Sequence, residues 1–120
     1  MVISRALAAT MLLTATVALA GKSTTTIPMG QAFVLGGDQT KPLTVSGKNV
    51  GPVAVRIVAR RGSAKKLLAT VAPGGNIGGT FAVGDAAVIE NTSSTKSAVI
   101  SVEFNASVNS LTMDYKPVGK

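Results

Sequence analysis

Ser63-Ala64-Lys65-Lys66 sets a serine three residues before a lysine, the spacing at which an amine can activate a hydroxyl for acyl transfer. That chemistry needs the serine at the head of a helix and a K-T-G partner. Here the flanking pattern predicts a hairpin loop, and no K-T-G occurs in the chain. The four residues therefore read as a solvated turn. With no His and no Cys in 120 residues, Ser-His and Cys-His pairs, imidazole ligands and thiolate ligands are all excluded.

Carboxylates are scarce. Asp38, Asp85, Glu90, Glu103 and Asp114 are the full set, and no two are close in sequence. Glu90 and Glu103 fall on predicted strands that could neighbour one another, and two carboxylates are the minimum for glycoside hydrolysis. Sugar clefts also use aromatic platforms, yet Phe33, Phe81 and Phe104 alternate onto predicted inner faces. The acids are read as solvated or loop residues. No D-x-D-x-D-G calcium loop and no glycine-rich phosphate loop occurs. The expectation is a protein without cofactor, metal or catalytic residues. Asn91-Thr92-Ser93 and Asn105-Ala106-Ser107 fit the N-glycosylation pattern but carry little weight.

One charge feature stands out. Arg56, Arg60, Arg61, Lys65 and Lys66 lie within a short stretch that holds no acid. If Val53–Arg61 and Lys65–Ala72 pair about Gly62-Ser63-Ala64, Ala59 faces Leu67, Ile57 faces Ala69 and Val55 faces Val71. Arg56, Arg60 and Lys66 then share an outward face, with Arg61 and Lys65 beside the loop. Such a hairpin would attract an anionic glycan, an anionic lipid or an acidic protein. It would equally serve as a charged edge that keeps the sheet from pairing with strangers. Sequence-specific nucleic-acid reading is not expected, because stacking aromatics are missing.

The elements that position these residues follow from period-two alternation. Residues 1–20 read MVISRALAATMLLTATVALA: Arg5, then an uncharged stretch closing on Ala18-Leu19-Ala20. This is the pattern of a cleaved signal peptide, and the stretch is short for a membrane span. The expected mature chain is 21–120, secreted to the periplasm, cell surface or exterior, with no transmembrane segment. Only Arg5 among charged residues is lost, so the formal charge drops from +7 to +6. Beyond Ala20, Ile27, Met29, Phe33 and Leu35 stripe a strand over Thr24–Leu35, with Gln31 breaking the pattern. Leu43 and Val45 mark the next strand, ended by the segment from Gly47 to Pro52. After the basic hairpin come Ile77–Val83 and Ala86–Glu90 (two strands, or else one bent strand broken at Gly84-Asp85), Ala98–Phe104 and Ser107–Lys116.

Seven or eight strands without a helix predict an all-β fold: a single antiparallel β-sandwich, immunoglobulin-like or jelly-roll-like, after the signal peptide. The Cys and Trp signature of antibody domains is absent, so the match is to architecture. Ala54, Val58, Leu68 and Ala72 give the outward faces an apolar character suited to a partner. The leading expectation is a non-catalytic structural or surface-assembly subunit. It would self-associate or join a surface-assembly partner by strand addition through Ile27, Met29, Phe33 and Leu35. In general pattern the chain is similar to pilus subunits, which are secreted, Gly/Thr-rich sandwiches with an alternating N-terminal segment, although the cysteines usual there are missing. The alternative is a soluble binding module whose basic hairpin captures an anionic ligand.

Overall fold

A computed structural model describes residues 21–104 and 112–118 as nine strands, with no helix among them. In chain order these are β1 (Gly21–Ile27), β2 (Gln31–Gly36), β3 (Leu43–Asn49), β4 (Val55–Arg61), β5 (Ala64–Val71), β6 (Asn76–Phe81), β7 (Ala86–Asn91), β8 (Ala98–Phe104) and β9 (Met113–Pro117). They form two antiparallel sheets, a four-stranded one ordered β1-β8-β3-β6 and a five-stranded one ordered β5-β4-β7-β2-β9. The fold is all-β, as the alternation predicts. Residues 1–20, where the signal peptide is expected, lie outside the described residues, as does Ser107–Leu111 of the expected last strand.

The pairing is nested. β1 pairs with β8, β2 with β7, β3 with β6 and β4 with β5, so the first eight strands form one long hairpin folded over on itself. Cross-links β3–β8 and β4–β7 then divide it into two sheets. Alternate residues of both sheets meet in one core. Ile27, Leu43, Val45, Ile77, Phe81, Ile100 and Val102 come from the first sheet; Phe33, Leu35, Val55, Ile57, Val71 and Ile89 come from the second.

Two strand expectations are corrected and an open one is settled. The stripe over Thr24–Leu35 is two strands in different sheets, separated by Pro28-Met29-Gly30, where Gly30 takes a left-handed φ of 71°. Ile77–Val83 and Ala86–Glu90 are two separate strands, as expected, and they belong to opposite sheets, which removes the bent-strand alternative. Gly47, read as a strand terminator, sits inside β3, because the β8 backbone crosses too close for a side chain. A Cβ there would run into the Ser101 carbonyl oxygen and lie 2.8 Å from Val102 Cα.

The five-stranded sheet is apolar on its outer side as well. Ala32, Val34, Val58, Ala86 and Val88 form a second buried cluster with Val118 packed against it, and β7 is buried at all six positions. Val58, expected as an outward contact residue, is therefore a packed one.

Three buried amides tie the ends together. Asn49 Nδ2 donates to the carbonyls of Val53 (2.9 Å) and Val71 (3.1 Å), while its Oδ1 accepts from Gly51 N–H. Asn91 Nδ2 donates to the carbonyls of Ile27, Pro28 and Lys96, and its Oδ1 accepts from Ser93 N–H. Gln39 joins the β2–β3 loop to the β6–β7 turn through the carbonyls of Ala82 and Asp85. Buried carbonyls would otherwise lack donors, which explains polar residues at such depth.

Candidate functional site

The basic hairpin is β4 and β5, closed by the two-residue turn Gly62-Ser63 rather than a three-residue loop, with Gly62 at φ 59°. Val55 faces Val71 and Ile57 faces Ala69, as the alternation predicts. Beyond Ile57 the register shifts by one: Val58 faces Leu67, Ala59 faces Lys66 and Arg60 faces Lys65. Leu68 is the extra residue, a bulge in the edge strand. One inserted residue exchanges the faces of everything beyond it, so Lys65 joins Arg56 and Arg60 on the outer face. Lys66 turns to the other side.

The five cations are not equivalent. Arg56 Nε lies 3.2 Å from Glu90 Oε1, off the N–H axis, so the two form a charge contact rather than a hydrogen bond. Glu90 itself is buried between Arg56 and Ala32 in the ladder. Arg61 donates to Asp85 Oδ1 at 2.6 Å and to the Val83 carbonyl, clamping the hairpin end to the β6–β7 turn. Lys65 and Lys66 stand on β5, exposed at every position from Ala64 to Thr70. Two of the acids missing from the hairpin's own sequence thus arrive from elsewhere and offset two of its charges.

Arg60 lines a cleft of about 320 Å³ at the end of the five-stranded sheet, together with Asp38, Thr112 and the glycine turns at Gly36, Gly37, Gly62 and Gly84. Thr112 Oγ1 donates to Asp38 Oδ2 at 2.7 Å, and this bond holds the Asp38 carboxyl below its ordinary pKa. Glu90 and Glu103 are placed in different sheets, so no carboxylate pair forms between them. Among the described residues no three of His, Cys, Asp and Glu gather in a metal-binding group. No helix among them is long and apolar enough to cross a membrane.

The strand-addition residues divide sharply. Ile27 ends β1 and is buried; Met29 sits in the turn, half exposed; Phe33 and Leu35 lie in β2, internal to the five-stranded sheet and buried in the core. Four strands border solvent edges: β1 and β6 of one sheet, β5 and β9 of the other. Edges invite foreign strands unless charges, bulges or prolines intervene. β5 has Lys65, Lys66 and the bulge, and β9 has Asp114, Lys116 and Pro117, which turn away a strand that lacks the complementary charges. β6 carries Gly78-Gly79. β1 is seven residues of unbroken register, GKSTTTI, with one charged residue and no proline.

The buried amides were missed by reading motifs for chemistry. Their signal was local: Asn49 and Asn91 each precede by two residues a backbone N–H that their side chain accepts, an Asx-turn pattern. Asn91 also begins the first glycosylation triplet, and its Nδ2 is committed to carbonyls inside the fold.

The sequence matches no family model, and no curated protein or solved structure matches it.

Proposed function

We propose that the chain is a secreted, non-catalytic structural or surface-assembly subunit that joins its neighbours by exchange of β1. The observation that carries this reading is the character of that strand. It is long, uninterrupted and almost uncharged, it lies at an edge, and a three-residue turn containing Gly30 links it to the body. Of the N-terminal stripe, Ile27 would travel with β1 and Met29 would lie in the hinge. Phe33 and Leu35 would stay as the anchor. The nested pairing with β9 appended reads as a jelly roll, an architecture used in capsid walls and lectins.

Removing Gly21 to Leu35 would also remove β2 from the middle of a sheet, so locking is the cleaner test. Thr24 faces Ser101 across β1 and β8. A Thr24→Cys, Ser101→Cys variant should grow into open-ended oligomers with concentration when reduced and lose that open-ended growth when oxidised, by light scattering. Equal assembly in both states, or none in the wild type, would sink the reading.

A second reading retains support from Lys65 and Lys66, which stand exposed on the hairpin. In it the protein is a periplasmic or extracellular binding module, and the lysines with Arg60 meet an anionic glycan, an anionic lipid or an acidic protein. The pairing of Arg56 and Arg61 with acids weakens it.

A further inference from the structure

The five-stranded sheet extends beyond its partner at the β9 end. Met113 and Tyr115 face the inner side, opposite Leu35 and Phe33. Yet they are 46% and 47% exposed, whereas Leu35 and Phe33 are 0% and 3%. The four-stranded sheet ends at β1, in contact with β2, and leaves the inner face of β9 half covered. Tyr115 meets Phe33 at a ring-centroid distance of 5.5 Å, which holds one side of its ring.

Hydrogen-bond parity fixes which groups β9 offers outward. Gly36 N–H donates to the Thr112 carbonyl (2.8 Å) and Val118 N–H to the Gly30 carbonyl (2.9 Å), extending the register of Gln31 with Pro117 and Leu35 with Met113. Antiparallel bonds recur every second residue, so the even-numbered residues of β9 bond to β2, and Met113, Tyr115 and Pro117 face the edge. Tyr115 N–H accordingly goes to the Asp114 carboxylate, at 2.8 Å, instead of to β2.

The segment Met113-Asp114-Tyr115-Lys116-Pro117 is complementary to itself in the antiparallel sense. With Tyr115 opposite Tyr115 of a second copy, Asp114 faces Lys116 and Lys116 faces Asp114, while Met113 meets Pro117. We infer that β9 is a two-fold docking edge for a second copy of this chain, joining the two five-stranded sheets into one of ten strands. The two Tyr115 residues exchange N–H and carbonyl bonds, and each Met113 N–H donates to the facing Pro117 carbonyl. Pro117 has no N–H to return. The Asp114 carboxylate, released from Tyr115 N–H, takes the facing lysine on the outer side, and the tyrosine and methionine side chains cluster on the inner side. The same overhang obstructs the corresponding two-fold pairing of β1 edges, since each β9 would occupy the space needed by the other copy.

This goes beyond β1 exchange, because β1 stays in its own sheet. The contact is short, so the dimer is weak and concentration-dependent. Sedimentation equilibrium of the 21–120 chain tests it, with circular dichroism as the check on fold. Asp114→Lys and Lys116→Asp should each raise the dimer dissociation constant about tenfold or more, by turning two cross-strand attractions into repulsions. The double exchange Asp114→Lys, Lys116→Asp should restore association to about the wild-type level, and an equimolar mixture of the two single variants should form a heterodimer of about wild-type strength, because both facing pairs are then of opposite charge. The oxidised β1–β8 lock should still dimerise, which separates failure here from failure of the assembly reading. A wild type that stays monomeric up to its solubility limit, or a dimer indifferent to both single reversals, overturns the inference.

Discussion

Asn91 holds three carbonyls from two places in the chain: Ile27 and Pro28 where β1 turns into β2, and Lys96 ahead of β8. Asn91→Ala leaves these oxygens without their donor in a buried place, at about 1–3 kcal/mol for each that water cannot reach. The expected result is a lower denaturation midpoint in urea with an unchanged slope. Asp38 gives a pH prediction. Its carboxyl is depressed mainly by the Thr112 hydroxyl, so the stabilisation is present above the ordinary carboxylate pKa and is lost as pH falls through the lower folded value. Thr112→Val should raise the Asp38 pKa toward its ordinary value, read by carboxyl NMR titration. No comparable signal exists in the sequence, because Asp38 and Thr112 are remote in the chain.

At the scale of elements, alternation was a sound guide where it met one unambiguous partner. β4 and β8 have an apolar residue at every inner position, and both occur nearly where the pattern puts them. It misled where two strands shared one phase. Ile27, Phe33 and Leu35 keep the parity of a single strand although Pro28 and Gly30 break it, so the stripe hid a crossing between sheets. The bulge was invisible for a related reason: Leu67 and Leu68 are both apolar, so either register looks acceptable from composition. Lys66 and Lys65 exchanged roles as a result. Gly47 shows a third kind of failure, since what requires glycine there is the backbone of a distant strand. Gly47→Ala should destabilise by about 1–3 kcal/mol, as overpacking does, and should do so without changing the hairpin's amide shifts. An effect within experimental error would show that β3 and β8 can separate freely.

For the molecule as a whole, the sequence charge of +7 overstates what the hairpin offers a ligand. Arg56 and Arg61 have carboxylate neighbours, while Lys65 and Lys66 lie along an exposed edge. Retention on an anionic resin should therefore fall more for Lys65→Gln, Lys66→Gln than for Arg56→Gln, Arg61→Gln, and added salt should abolish the difference. Equal losses would mean that net charge alone governs retention.

Nested pairing also dictates when the protein can finish folding. Gly21 meets Phe104, and Ile27 meets Ala98, so the first strand has no partner until nearly the whole chain has been made. Contacts of such separation are slow to form. Only the β4–β5 hairpin near the middle can close early, with later strands laid around it in pairs. In a polypeptide paired this way the N-terminal strand is the last to find its place.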